Sequence, residues 1–66
     1  MMNTVDMLND ALQDEKMLQA MYNKHMMDIS NPEVRQLFTQ LRDAKMQNLS
    51  QLQQQIQTMM QQGQTQ

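Results

Sequence analysis

Ser30-Asn31-Pro32-Glu33 is the clearest local signal in this 66-residue chain, and it makes two helices of what would otherwise read as one. Asn31 suits the position before a helix, because its side-chain oxygen accepts from a free backbone N–H of the first turn. Pro32 suits the first helical position, where a missing N–H costs nothing and φ is already helical. The same proline disfavours helical geometry at Asn31 and so ends the preceding helix. Glu33 adds a negative charge at the positive end of the helix dipole. A connection of two or three residues leaves the flanking helices side by side and antiparallel.

Upstream of this turn there is no glycine or proline between Thr4 and Ile29. Leu8, Ala11, Leu18, Tyr22 and Ile29 recur at three- and four-residue steps, which predicts a helix over about residues 5–29. Asn3 or Thr4 caps its start, and Asp6 suits the first turn. Downstream, Val34, Leu37, Phe38, Leu41, Ala44, Leu49, Leu52, Ile56 and Met59 make the apolar face of a second helix over about residues 32–62. Gly63 is the natural residue to close it, with 63–66 as a frayed tail. The whole of residues 1–66 is then one all-α hairpin domain, each helix roughly 40 Å long at 1.5 Å per residue.

A chain this short buries little core and usually needs a disulfide, a metal or a partner subunit. It has no cysteine, which removes disulfides and thiolate metal sites. A hairpin alone leaves half of each apolar stripe in water, and a two-fold axis relating two hairpins closes a four-helix core. The expected architecture is therefore an antiparallel two-helix hairpin that homodimerises into a four-helix bundle.

The net charge of −2 comes with no basic patch, so nucleic acid is not an expected partner. No stretch approaches the roughly 18 apolar residues of a membrane span. Met1-Met2-Asn3-Thr4-Val5-Asp6 lacks a basic region followed by an apolar run, so it does not read as a signal peptide. These features lead to the expectation of a soluble, intracellular protein. The ten methionines are adaptable core filler or an adaptable contact surface; Met26, Met27, Met59 and Met60 are the candidates for the latter.

The helix 1 stripe continues through positions 8, 11, 15, 18, 22, 25 and 29, so Glu15 and His25 fall where apolar residues belong. Lys45 and Asn48 interrupt helix 2 in the same way. Folding the chain about Asn31 sets residue i against about residue 62 − i. Glu15 then faces a position within one turn of Lys45 and Asn48, and His25 faces Leu37 or Phe38. Glu15, Lys45, Asn48, Tyr22 and His25 are the candidate polar layer of the core, with Glu15 and Lys45 ion-paired because a lone buried carboxylate is costly. A di-iron bundle needs Glu-x-x-His pairs that helix 2 lacks, and His25 lies about 15 Å along the axis from Glu15. Met17 and Met21 are spaced as a thioether pair for Cu(I), a pattern that chance produces readily in so Met-rich a chain. No phosphate loop, nucleophile–base pair or paired acid is present. No metal and no cofactor are expected.

The runs Met7-Leu8-Asn9-Asp10-Ala11-Leu12-Gln13-Asp14-Glu15-Lys16 through Tyr22, and Asn31-Pro32-Glu33-Val34-Arg35-Gln36-Leu37-Phe38, resemble the spore coat protein F family of endospore-forming bacteria. The resemblance covers about residues 5–60. It implies a ferritin-like, rubrerythrin-type four-helix bundle. It also implies that Glu15 and Tyr22 match the ligand-bearing first helix of such domains, and that the second-helix Glu and His fall at Lys45 and Asn48, where this sequence departs from the motif. The function this implies is a non-enzymatic structural or assembly protein of the spore or spore coat, acting as a homodimer among other coat or assembly proteins. The alternative is a ferritin-like metal-binding protein or oxidoreductase that uses Glu15.

Overall fold

The computed structural model describes residues 3–62, which form two helices, α1 (Thr4–Asp28) and α2 (Pro32–Gln61), packed against each other as an antiparallel hairpin. The expected roles of Gly63 and of the tail 63–66 lie outside the described residues. The all-helical hairpin is as the sequence predicts.

Each helix starts where its cap dictates. Asn3 accepts from the backbone N–H of Asp6 at 2.8 Å, and the Asp6 carboxylate receives the Asn3 N–H at 3.5 Å, so two end groups satisfy each other. At the turn, one Asn31 oxygen accepts from the N–H groups of both Glu33 and Val34, at 3.0 and 3.1 Å. Pro32 occupies the first helical position. α1 stops at Asp28, one residue before the expected end. Ile29 takes extended backbone, with φ −80° and ψ 127°, while its N–H still reaches the His25 carbonyl at 2.9 Å.

The hairpin is a single layer, 48 Å long, 20 Å wide and 11 Å thick along its Cα trace. Its seam takes Leu8, Leu12, Glu15, Gln19, Tyr22 and Met26 from α1, against Phe38, Lys45, Leu52, Ile56 and Met59 from α2. Only Leu12 and Met59 are buried among the described residues. A domain core forms between at least two layers of secondary structure, and one layer leaves its seam residues covered from the sides alone.

The seam is rotated from the stripe predicted for α1. Leu12, Gln19 and Met26 turn inward where Ala11, Leu18 and His25 were expected, and Leu18 and His25 are exposed. The reason is physical. A stripe read from the sequence collects every apolar position on a helix, whether it faces the helix's own partner or open space. Here Leu8, Ala11, Glu15, Tyr22 and Ile29 are at least half-covered, as the stripe predicts, while Leu18 and His25 lie at an edge of the seam and are exposed.

Candidate functional site

Two features of the hairpin carry chemistry or recognition: a polar layer at mid-length and the apolar surface around it. In the polar layer, Lys45 Nζ stands 3.1 Å from Glu15 Oε2 and 3.4 Å from Oε1, and Asn48 Nδ2 donates to Oε1 at 3.1 Å. The side chains of Lys45 and Glu15 are only 24% and 19% exposed. Oε2 is shut off from water and receives no well-directed hydrogen bond, so the attraction of the Lys45 ammonium is its compensation. The seam brings these three together because they lie at one level of an antiparallel pair.

Tyr22 and His25 sit about two to three turns along α1 from Glu15, nearer the connection, and belong to a different cluster. Both rings meet Phe38 edge-on, with centroids 6.0 Å and 5.9 Å away. Edge-to-face geometry sets the positive rim of one ring against the negative face of another. His25 is exposed, which corrects its assignment to a buried polar layer: it is an aromatic neighbour of Phe38 at the rim of the seam.

The sequence reading missed Arg42. Its Nη1 reaches across the hairpin to Asn23 Oδ1 at 3.0 Å and to Met26 Sδ at 3.6 Å, while Nε and Nη2 fork onto Asp43 at 3.2 and 2.9 Å. The signal was available, since Asn23 faces a position one turn from Arg42.

The four candidate contact methionines divide. Met59 is 8% exposed and Met26 is half-buried in the seam beside Arg42, so neither offers an outer surface. Met27 and Met60 are 66% and 65% exposed. Met17 and Met21, the thioether pair, are both exposed.

The exposed apolar side chains are not evenly spread. The Asn23–Arg42 bond marks one broad face of the hairpin. Toward the open end the same face becomes a shallow groove of about 470 Å³ floored by Leu12 and Ile56, with Met60, Asn9, Gln53 and Gln57 around it. Met7, Leu18, Met21, Val34 and Leu37 are also exposed.

The donor set at Glu15 does not fit a metal ion. An ammonium already holds the carboxylate, the neighbouring amide presents a donor N–H rather than a lone pair, and a cation placed there would be repelled by Lys45. Among the described residues no three His, Cys, Asp or Glu side chains are grouped so as to hold a metal. Nor is either helix, over those residues, long and apolar enough to cross a membrane.

The sequence profile of a family described as a domain of unknown function, DUF2383, matches residues 3–66. No curated protein and no solved structure matches the chain.

Proposed function

The chain belongs to the DUF2383 family, and we propose that it is a non-enzymatic structural or assembly protein whose working unit is a homodimeric four-helix bundle. The observation that carries this reading is the 11 Å thickness of the hairpin, a single layer in which, among the described residues, only Leu12 and Met59 are buried. A second copy laid on one broad face supplies the missing layer. That face measures 48 by 20 Å, so covering it removes on the order of the ~800 Å² per partner that a standard interface takes. A two-fold pairing also needs no other gene product, because the same surface meets itself.

The resemblance of Met7–Tyr22 and Asn31–Phe38 to spore coat protein F supports an assembly role of the coat kind. In that role Met27 and Met60, left on the outside of the bundle, contact other proteins through flexible thioethers. The Glu15–Lys45–Asn48 layer then acts as a register device: sliding the helices past each other strands a carboxylate and an ammonium in the seam. The competing reading, a ferritin-like metalloprotein or oxidoreductase built on Glu15, is opposed by the ammonium already seated on that carboxylate.

Native mass spectrometry on protein purified without chelator tests both readings at once. A dimer whose mass is that of two bare chains supports the structural bundle. A monomer at micromolar concentration overturns it, and a dimer carrying one or two iron or manganese ions returns Glu15 to a metal centre.

A further inference from the structure

We infer that Met27 is a site of reversible oxidation, at which a hydroperoxide adds oxygen to one side of the thioether because the Asn23 amide holds the other. The inference does not depend on the dimer reading above.

The amide is fixed by its partner across the hairpin. Arg42 offers N–H donors only, so the side-chain oxygen of Asn23 must face it, and Nη1 meets Oδ1 at 3.0 Å. That leaves Asn23 Nδ2 to point elsewhere, and it donates to Met27 Sδ at 3.8 Å. Asn23 and Met27 are four residues apart on α1, the spacing that makes helix side chains neighbours. Asp43 takes the other edge of the guanidinium, through Nε and Nη2. A line of directed hydrogen bonds from Asp43 through Arg42 and Asn23 therefore ends on a sulfur whose residue is 66% exposed.

A thioether sulfur carries two lone pairs, and oxygen added at one or the other gives opposite epimers of the sulfoxide. With the Asn23 N–H on one pair, the other attacks the terminal oxygen of the hydroperoxide. The S–O bond forms, the O–O bond breaks, and the proton of the terminal oxygen passes to the departing hydroxide or alkoxide. Sulfur gives up two electrons, and the products are the sulfoxide and water or an alcohol. The unbranched side chain then turns its new oxygen to the same N–H, which gains a better acceptor than sulfur.

Met17 is the internal control. It is 69% exposed and meets no side-chain donor among the described residues, so both of its lone pairs are open. Met59 is buried, and Met26 is half-buried with its sulfur 3.6 Å from Arg42 Nη1. Both should lag, Met26 also because the guanidinium opposes the positive charge that sulfur acquires.

The test treats the full chain with hydrogen peroxide to about one added oxygen per molecule and locates the sulfoxides by peptide mass spectrometry. Aliquots are then reduced with one or the other of the two methionine sulfoxide reductases, each of which takes one epimer. At Met27 one epimer should exceed the other by at least about twofold, the selectivity of a weak hydrogen bond. Met17 should show near-equal epimers, and Asn23→Ala should bring Met27 to the Met17 ratio with helix content unchanged by circular dichroism. Equal ratios at Met27 and Met17 in the wild type overturn the inference without any variant. So does a bias at Met27 that survives Asn23→Ala, or a Met27 that stays unoxidised while Met17 converts.

Discussion

Lys45 Nζ lies 3.1 Å from Glu15 Oε2, across thirty positions of sequence, and this pair is the one cationic–anionic contact that joins the two helices among the described residues. Because both side chains are about three-quarters or more covered, removing one partner is not a surface change. Lys45→Met leaves a carboxylate whose Oε2 has no donor, and should cost about 1–3 kcal/mol, below the 3–5 of a fully buried pair. Glu15→Ala should cost less, since the lysine stem can carry its ammonium out to water. The double variant Glu15→Leu with Lys45→Met should recover most of the loss. Chemical denaturation of the three variants at one protein concentration gives the coupling directly; three additive effects would mean that the pair contributes nothing as a pair.

This layer is also the part of the site most legible in the sequence. A polar residue on each stripe, a turn of known length and equal rise on both helices place Glu15 beside Lys45 and Asn48 without further information. The turn itself was readable for the same reason, because Asn31 and Pro32 act on atoms within three residues of them. What the pattern does not separate is the surface an apolar residue meets. Met59 and Met60 are neighbours of identical type, one 8% and the other 65% exposed. Rotation about the helix axis decides between them, and the partner helix sets that rotation. His25 and Met26 were misplaced by the same cause: a one-residue turn of α1 moves a side chain from the seam to its edge.

Asn31 holds two N–H groups of α2 with one oxygen, so its removal exposes both. Asn31→Ala should lower stability by about 1 kcal/mol, and Asn31→Gly by only a few tenths. Thermal melts followed by far-ultraviolet circular dichroism read this difference. Equal losses for the two variants would mean that the side-chain cap is not what starts the helix.

Arg42 and Asp43 form an ion pair that should hardly matter, and the distinction is exposure. Asp43 is 59% exposed, against 24% for Arg42. Asp43→Asn should change stability by less than about 0.5 kcal/mol, as exposed pairs do. Arg42→Ala should cost about 1 kcal/mol, because it also removes the bond to Asn23 and the stem lying against Met26. Denaturant midpoints of the two variants settle the order, and a larger effect at Asp43 would contradict it.

Leu12 and Leu37 separate the fold of the hairpin from its assembly. Leu12 is buried in the hairpin, while Leu37 is 51% exposed and so open to the second copy proposed above. Leu12→Ala removes buried methyl groups from the seam and should cost about 2–5 kcal/mol, lowering the melting temperature at every protein concentration. Leu37→Glu breaks nothing within one hairpin. In a dimer it sets two carboxylates into an apolar layer across the two-fold axis, where neither has a partner. It should therefore shift the molecule from dimer to monomer in analytical ultracentrifugation while the wild type stays paired. The wild-type melting temperature should also rise with concentration, because association stabilises only the folded chain. Since the lone hairpin has so small a core, the Leu37→Glu monomer should be less helical at low concentration than the parent. A variant that remains dimeric with unchanged stability would show that this face is free, and would move the interface to the groove at Ile56 and Met60.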